Sequence, residues 1–384
     1  MEKPTIIKPL VGLITFHSAY NFGSVLQTYA TIKKIEELGY PVETINYRTP
    51  SQTFMYKKDW GRGKGLINNI KNYGFPFIQK AREIRRQKYE DFINKFLNPS
   101  KQKYTSFSEI KNSNLTYDIL ISGSDQVWNP NIGEFKFEPA DAILPYFLQF
   151  GYPQKRIAYA SSVGAQSLRN IRKYKDYLNS YNYLSTREYI AAEYLKTVSE
   201  KEIEFVCDPT WLLPKEQWRN LIRENENNNK KRKPYILVYL LYFSFRAINY
   251  WMDYIIKLAE KFNLDIICIS PMNFYQNKKI NVIQDAGPLD ILSYLDNAEL
   301  VITNTFHGTI FSMNLEKNFY SLKVDPSSRQ GQMLKLCKLE DRTINSPSEL
   351  LEDEDYLCNF DNSSLIIENF RKSSINFLNK ALLD

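Results

Sequence analysis

Short apolar runs alternate along the chain with stretches of helical periodicity, and most runs end in a turn rich in Ser, Asn or Gly. Leu10–Phe16 predicts a first strand, apolar positions from Val25 to Ile35 recur at helical spacing, and Gly39 ends that helix. Val42–Tyr47 then predicts a second strand. A strand, a helix and a second strand in this order are typical of parallel α/β sheets.

The same alternation continues through the rest of the chain. Further strands are predicted at Tyr117–Ser122, Arg156–Ala160, Tyr183–Thr186, Ile203–Cys207, Tyr235–Leu241, Asp265–Ser270 and Leu300–Thr303. Further helices are predicted at Ala247–Phe262 and Pro288–Asn297 and from Phe306 onward. Ligands bind beyond the carboxyl ends of the strands in open parallel sheets, so we expect the chemistry in the loops that follow these strands.

The length of the chain predicts two domains. Its 384 residues exceed the roughly 250 to 300 at which one hydrophobic core stops growing. The charged, Asn-rich stretch Glu224–Lys233 is typical of a linker or an exposed loop. We therefore predict a Rossmann-like domain over residues 1–215, with a helical insertion near residues 55–100, and a second Rossmann-like domain over residues 216–384 that ends in a helix. The fold class is α/β, with the two domains facing a cleft.

Composition and charge indicate the cellular compartment and the class of partner. The four cysteines lie far apart, without the paired spacing of a zinc site or a disulfide framework, which predicts a reducing cytoplasm and no bound metal. The apolar run Leu10–Phe16 is far shorter than the roughly 20 residues that span a bilayer. A net charge of +7 suits anionic small molecules or an acidic lipid surface as well as nucleic acid, and we expect no nucleic-acid partner.

Basic residues are concentrated in one segment of the first half. Between Lys57 and Lys88 there are ten Lys or Arg residues against two acids, interleaved with aromatic residues. Such a segment can rest on anionic lipid headgroups at the inner face of the membrane or hold an acidic acceptor. The alternative is a solvated helical face.

Both histidines of the chain, His17 and His307, lie just after a predicted strand and just before a predicted helix. Histidine titrates near pH 6.5, which suits proton transfer at neutral pH. Asn21 and Gly23 follow His17 at the predicted start of a helix, where unpaired backbone N–H groups can hold an anion. An ordinary tight turn is the alternative, because the full glycine pattern of a nucleotide-binding loop is missing.

Two further loops of the first half carry polar groups after a strand. The first of them contains Ser124, Asp125, Gln126 and Trp128. A hydroxyl, a carboxylate, an amide and an indole in one loop form a set that commonly holds sugars. Asp125 can take the proton from an attacking hydroxyl, or it can cap a following helix. The next loop pairs hydroxyls with a glycine at Ser162 and Gly164.

Candidate cations and donors follow the later strands. Arg187 stands at a strand end, where its guanidinium can grip a carboxylate or phosphate with two hydrogen bonds or can pair with a neighbouring acid. Asp208-Pro209-Thr210 is consistent with a turn. The loop around His307 adds amide and hydroxyl donors at Asn304, Thr305 and Thr309, and Ser328-Arg329 supplies a second anion clamp.

Taken in order, these loops resemble the polysaccharide pyruvyl transferase family from about Gly12 to Arg342. The residues that carry the resemblance are Thr15-x-His17, Asn21-Phe-Gly23, Leu26-Gln27-Thr28-Tyr29, Gly123-Ser-Asp125-Gln-Val-Trp128-Asn, Tyr159-Ala-Ser-Ser162-x-Gly164, Ser185-Thr-Arg187-Glu188, Asp208-Pro-Thr210 and Phe306-His307-Gly308. Each motif alone is unspecific, whereas the ordered set is not. Many members of the family have an arginine two residues before the histidine; this chain has Thr305 there and resembles a subgroup with a small hydroxyl residue.

The resemblance implies a fold similar to GT-B glycosyltransferases, phosphoenolpyruvate as donor substrate and a glycan or lipid-linked oligosaccharide as acceptor. No cofactor is expected. His307 is expected to act as the proton donor or as a phosphate ligand, with the proton donor as the favoured role, and Asp125 is the expected base. The expected donor-binding residues are Arg187, Asn304, Thr305, Gly308, Ser328 and Arg329. Contact with either donor or acceptor is expected from His17, Asn21, Gly23, Ser124, Gln126, Trp128, Ser162 and Gly164.

Two other functions stay open at this point. A nucleotide-sugar glycosyltransferase has the same architecture of two Rossmann-like halves, and fold does not fix function. A non-catalytic glycan-binding relative is the other alternative, because Thr305 stands where an arginine is common.

Overall fold

A computed structural model describes residues 8–55, 76–225, 233–241, 245–270, 277–352 and 354–384. By internal contacts the chain divides into two units. The first unit comprises residues 1–57, 90–213 and 370–384, and the second comprises residues 58–89 and 214–369. Each unit is built around one parallel β-sheet. The basic segment predicted from Lys57 to Lys88 and the stretch Glu224–Lys233 lie largely outside the described residues.

The sheet of the first unit is parallel throughout its described strands and has the order β3-β2-β1-β4-β5-β6-β7. These strands are β1 Val11–Ile14, β2 Val42–Tyr47, β3 Pro99–Tyr104, β4 Ile119–Ser122, β5 Lys155–Ala158, β6 Tyr183–Thr186 and β7 Ile203–Phe205. All residues of β1 and β4 are buried, as expected for the centre of a parallel sheet covered on both faces.

The sheet of the second unit repeats this plan with the order β10-β9-β8-β11-β12-β13. Its strands are β8 Tyr235–Tyr239, β9 Asp265–Ile269, β10 Ile280–Ile283, β11 Leu300–Thr303, β12 Asn318–Leu322 and β13 Thr343–Ile344. Its apolar core includes Ile236, Trp251 and Ile302, and each of these side chains is almost completely buried. Both sheets therefore have the strand order of doubly wound α/β domains.

The described α-helices connect these strands or pack on them. They are α1 Phe22–Glu37, α2 Pro50–Met55, α3 Pro76–Phe96, α4 Phe107–Lys111, α5 Lys175–Asn179, α6 Tyr189–Lys196, α7 Lys215–Asn225, α8 Phe245–Phe262, α9 Pro288–Asp296, α10 Phe306–Asn314, α11 Arg329–Leu336 and α12 Asp361–Leu383. The helices that follow β1 and β11 begin at an Asn and a Thr cap, respectively.

Each sheet has a switch point, where the chain stops adding strands on one side and starts on the other. In the first unit the switch point lies between β1 and β4, because β2 and β3 extend the sheet to one side and β5 to β7 to the other. In the second unit it lies between β8 and β11. Loops at the carboxyl ends of these strands diverge to opposite faces and leave a crevice for ligands.

Most interior strands agree with the sequence-based prediction to within two residues at either end, whereas the interior strand β12 and the edge strands β3, β10 and β13 were not predicted. Val42–Tyr47, Tyr183–Thr186 and Leu300–Thr303 have the predicted limits. The unpredicted β3 is an edge strand of sequence PSKQKY, exposed over its three middle residues. An edge strand pairs on one side only and needs no continuous apolar run, so the hydrophobic pattern does not reveal it.

The division by contacts differs from the predicted domains in two segments. Residues 58–89 group with the second unit and residues 370–384 with the first. Within the first unit, Arg371 Nε donates to the carbonyl oxygen of Trp211 at 2.5 Å, and Ser374 Oγ accepts from Cys207 N at 2.9 Å. The last part of α12 thus completes the first unit, which a linear reading of the sequence does not show.

A stability comparison of two glycines tests how closely the loop after β4 approaches the loop after β5. Gly123 has φ +112°, and a Cβ there would lie 2.7 Å from Ser161 Oγ and closer still to the carbonyl oxygen of Tyr159. Gly39 has φ +86° but open space around it. We expect Gly39→Ala to cost about 1 kcal/mol of unfolding free energy and Gly123→Ala roughly 3 kcal/mol. Equal losses in urea denaturation would contradict this packing.

Candidate active site

The two loops at the switch point of the first unit are tied together by buried hydrogen bonds. Thr15 Oγ1, after β1, donates to the carbonyl oxygen of Ser124, after β4, at 2.9 Å. Gln27 on α1 donates from Nε2 to Thr15 Oγ1 at 2.9 Å and accepts from Ser124 N at 3.1 Å. All three residues are buried. The backbone on both sides of the crevice is therefore fixed before any ligand arrives.

Asp125 projects from this fixed backbone with both carboxylate oxygens engaged. Oδ2 accepts from Ser24 Oγ at 2.5 Å, and Oδ1 accepts from Gln126 N at 2.8 Å and faces Arg187 Nη2 at 3.4 Å. The side chain keeps 13% exposure. Its φ of 76° is in the left-handed region, which non-glycine residues rarely adopt and which clusters at functional sites. Asp125 caps no α-helix, so the capping alternative does not apply.

Arg187 is buried completely and is neutralised inside the protein. Its Nη1 donates to Asp208 Oδ2 at 2.6 Å and to Ser124 Oγ at 3.0 Å. Burial alone would lower the pKa of Arg187, but the carboxylates of Asp208 and Asp125 raise it above its ordinary value. The geometry therefore corresponds to pairing with neighbouring acids, which was the alternative to the predicted grip on a donor anion.

Asp208 is a site residue to which the sequence analysis assigned no role. It follows β7, and its Oδ1 accepts from Thr210 N at 3.0 Å and from Thr210 Oγ1 at 2.8 Å. The available signal was positional: β6 and β7 are neighbours in a parallel sheet, so the acid after one and the arginine after the other emerge side by side.

Within the described part of the chain, the cluster around Arg187 at the carboxyl edge of the first sheet has more carboxylates than cations. Asp125, Asp208 and Glu188 all stand close enough to Arg187 to raise its pKa. The guanidinium of Arg187 does not balance these three acids when all are ionised, and such a cluster repels anions and suits hydroxyl groups. We therefore expect this edge to bind an uncharged, hydroxyl-rich ligand more readily than a phosphate.

His17 is buried with both ring nitrogens facing protein groups. Nδ1 lies 3.2 Å from the carbonyl oxygen of Thr15, and Nε2 lies 3.3 Å from Asn46 Oδ1. Burial, helped by the charge of Arg48, lowers the pKa of His17 from 6.5 to about 4. His17 thus supports the loop as a neutral imidazole, and in this geometry it has no exposed surface to offer to a donor or an acceptor.

Two predicted contacts of the first unit serve local structure. Asn21 is the N-cap of α1, and its side-chain oxygen accepts from Gly23 N at 3.0 Å. The backbone N–H of Gly23, which was predicted to help hold an anion, therefore already has a partner. Trp128 is 1% exposed, stacks on Phe147 with ring centroids 5.7 Å apart, and donates from Nε1 to a carbonyl oxygen. Its indole is part of the core and offers no platform for a sugar.

The remaining predicted residues of the first unit line the same loops. Ser162 is buried and donates from Oγ to Glu188 at 2.5 Å. Gln126 accepts from Asn129 Nδ2 at 2.8 Å. Gly164 has φ +72°, and a Cβ there would strike both of these amides. These residues shape the loops after β4 and β5 around Asp125.

The switch point of the second unit is closed by Asn304. Its side-chain oxygen accepts from Leu241 N at 2.8 Å, and its amide nitrogen donates to the carbonyl oxygen of the same residue. Asn304 thus joins the loop after β11 to the loop after β8 with both ends of its amide. That double contact occupies the side chain predicted to bind the donor.

Two helices of the second unit begin at its carboxyl edge. Thr305 caps α10 by accepting from Gly308 N at 3.0 Å, and Ser328 caps α11 by accepting from Gly331 N at 3.1 Å. Gln330 joins the two starts by donating to Thr309 Oγ1 at 2.8 Å. The positive ends of both helix dipoles therefore lie close together, which favours negative charge nearby.

His307 and Arg329 stand in the first turns of these helices and share one aromatic neighbour. The guanidinium of Arg329 lies 4.7 Å from the centroid of the Phe306 ring, and the ring of His307 meets that of Phe306 edge to face at 5.2 Å. His307 is 8% exposed. The second unit thus brings together an imidazole, a guanidinium and two helix starts, a set suited to a phosphate or carboxylate.

Neither a metal centre nor a membrane span appears among the described residues. No three His, Cys, Asp or Glu side chains of that part of the chain are grouped so that they can hold a metal ion. None of the helices in the described ranges is both long and apolar enough to cross a bilayer.

Comparisons with known proteins give a family and a fold. A family model described as polysaccharide pyruvyl transferase matches residues 21–326. Among solved structures, the chain is similar to the UDP-GlcNAc 2-epimerase from Neisseria meningitidis bound to UDP-GlcNAc, with a TM-score of 0.53 and 10% identity over 97% of this chain and 99% of that one. No curated protein matches the chain.

A second solved structure supports the same fold. The UDP-GlcNAc 2-epimerase from Methanocaldococcus jannaschii in complex with UDP-GlcNAc and UDP has a TM-score of 0.51 and 14% identity, over 96% of this chain and 99% of that one. At such identities the likeness shows the fold alone. The predicted class, two Rossmann-like α/β domains similar to GT-B glycosyltransferases, is confirmed.

The buried His17 predicts a pH dependence of stability. As the pH falls below 6.5 the unfolded chain takes up a proton on this residue, whereas the folded protein does so only near pH 4. Proton binding therefore stabilises the unfolded state over this range. We expect the protonation of His17 to lower the free energy of unfolding by about 3 kcal/mol between pH 6.5 and 4. In urea titrations across this window His17→Gln should lack that part of the loss; parallel curves for both proteins would contradict the assignment.

Proposed function

Because the chain belongs to the polysaccharide pyruvyl transferase family, we propose that it transfers the enolpyruvyl group of phosphoenolpyruvate to two hydroxyls of a sugar, forming a pyruvate ketal. The acceptor is a glycan or a lipid-linked oligosaccharide. The match to the family over residues 21–326 is the observation that carries the proposal. The chemistry of the two sheet edges supports it.

The reaction needs an acid, a base and cationic groups. Protonation of the donor methylene gives a methyl group and a cationic carbon, which the first sugar hydroxyl attacks as it loses its proton. Phosphate then leaves, and the second hydroxyl closes the ketal with loss of its own proton. Of the two protons that the hydroxyls release, one balances the proton that enters the methyl group and the other leaves with inorganic phosphate, the second product.

We assign the donor to the carboxyl edge of the second sheet. The starts of α10 and α11, together with Arg329, supply the positive potential that a phosphate requires. His307 lies in the first turn of α10 and serves as the acid. Thr305, Gly308 and Ser328 shape the two helix starts, whereas Asn304 holds the loops in place.

We assign the acceptor to the carboxyl edge of the first sheet. Asp125 is partly exposed there and is held by Ser24, which leaves it placed to take a proton from a sugar hydroxyl. The excess of carboxylates in the described cluster around Arg187 disfavours a trianionic donor. Arg187 is assigned to holding Asp125 instead of binding the donor, because its guanidinium is buried and bonded to Asp208.

A nucleotide-sugar glycosyltransferase is the second candidate, favoured by the fold that the chain shares with UDP-GlcNAc 2-epimerases. Contact with an anionic membrane is a further proposal, and it depends on basic residues that lie largely outside the described part of the chain.

Thermal shift separates the two candidate donors. We expect phosphoenolpyruvate to raise the melting temperature by about 2 to 4 °C at saturation, because it binds the folded protein alone. UDP- and GDP-sugars should leave it unchanged. A shift with the nucleotide sugars alone would favour the glycosyltransferase.

Replacement of His307 tests the assigned acid. We expect His307→Gln to fold and to lower phosphate release from phosphoenolpyruvate plus acceptor by at least about 100-fold, since general acid catalysis contributes on that order. The measurement is phosphate release over a panel of glycan acceptors. Turnover near wild type would refute the role of His307.

A matched pair of arginine variants tests the donor site. Arg329→Gln should raise the donor KM by about tenfold, because a charge-assisted bond to phosphate is lost. Arg223 is 63% exposed on α7 of the same unit, and Arg223→Gln is the control for loss of one positive charge. Equal effects of the two substitutions would assign the change to net charge and not to a site at Arg329.

A further inference from the structure

We propose that Asp208 is a positioning residue for catalysis: acting through Arg187, it sets the orientation and the proton affinity of Asp125. This inference rests on the proposed function, in which Asp125 is the base. It adds a role for a residue that is almost completely buried.

Asp208 is itself held in one orientation. One oxygen, Oδ1, accepts from the backbone and the hydroxyl of Thr210, at 3.0 and 2.8 Å. The other oxygen, Oδ2, lies 2.6 Å from Arg187 Nη1. Only 3% of the side chain is exposed, so water does not compete strongly for either oxygen. A carboxylate fixed in this way directs the guanidinium that it binds.

Arg187 forms ion pairs of unequal length with two acids. The contact with Asp208 is 2.6 Å, whereas the contact between Nη2 and Asp125 Oδ1 is 3.4 Å. Nη1 also donates to Ser124 Oγ at 3.0 Å, next to Asp125 in the chain. Arg187 therefore interacts more strongly with Asp208 than with Asp125. Asp125 stays in contact with the guanidinium but does not form a short ion pair with it.

This division decides how strongly Asp125 attracts a proton. Among the described residues, the ionisable groups of this cluster include Arg187, Asp208, Glu188 and Tyr146. The hydroxyl of Tyr146 is buried with a pKa well above its ordinary value and stays neutral. The negative charge of Asp208 partly neutralises Arg187. When that charge is removed, the positive charge of Arg187 acts more strongly on Asp125. The ionised form of Asp125 is then favoured, its pKa falls, and it becomes a weaker base.

The test is the pH dependence of kcat/KM in Asp208→Asn, which keeps the shape and removes the charge. We expect the acid limb to move to lower pH by about one unit and kcat on the plateau to fall about tenfold. The donor KM should change less than twofold. Asp118→Asn is the matched control, because Asp118 lies at the amino edge of the same sheet and accepts from Leu10 N at 2.8 Å. An acid limb that stays with wild type, in a folded and active Asp208→Asn, would overturn the proposal.

A milder variant covers the case in which Asp208→Asn does not fold. Thr210→Val removes one of the two bonds to Asp208 Oδ1 and leaves every charge in place. We expect kcat to fall a fewfold with the acid limb unmoved, and Thr210→Ser to restore kcat. Wild-type kcat in Thr210→Val, or no recovery in Thr210→Ser, would contradict the orienting role.

A direct titration separates this inference from the proposed function. In protein labelled with ¹³C at the aspartate carboxyl carbons, Asp125→Asn identifies the signal of Asp125. A lower pKa of that signal in Asp208→Asn supports the inference even if the wild-type protein releases no phosphate from phosphoenolpyruvate. The absence of phosphate release would refute the proposed function alone. An unmoved signal in an active enzyme refutes the inference alone.

Discussion

The buried guanidinium of Arg187 imposes the strictest constraint on the first unit. A charge without solvent exposure is tolerated only when partners surround it in good geometry, because removal from water costs several kcal/mol per ion. Here Asp208, Ser124 and Asp125 provide those partners. The three belong to loops that follow two different strands, so the strands must be in register before the charge is satisfied.

The unusual backbone of the loops after β4 and β5 follows from this requirement. Gly123, Asp125, Ala160 and Gly164 all have positive φ. These conformations turn the chain sharply at the carboxyl edge and let one loop lie against the other, with an isolated bridge between Asp125 and Ser161. Non-glycine residues pay a conformational cost there, and the ion cluster and buried hydroxyl bonds offset it. Asp125 is thus held by the same interactions that stabilise the unit.

Sequence reasoning located the loops well and the roles of individual side chains less well. Apolar runs give the interior strands, and parallel strands bring their following loops to one edge, so the polar groups of Asp125 and His307 were found at strand ends. The partner of a side chain is decided by strand order and packing depth, which periodicity does not encode. Arg187 therefore meets Asp208, and Trp128 enters the core. The charge cluster depends on the pairing of β6 with β7, which the sequence pattern does not reveal.

The hydroxyl residue at position 305 has a physical explanation in the second unit. Thr305 is the N-cap of α10, and its Oγ1 accepts from Gly308 N. An arginine at this position has no oxygen for that bond, so it would leave the start of the helix less stable by about 1 kcal/mol. Under the proposed function we expect the cation to come from the neighbouring helix, because Arg329 begins α11 and lies over the ring of Phe306. The cap and the expected positive charge then belong to separate residues, and the start of α10 keeps its backbone N–H groups oriented toward the edge where an anion is expected.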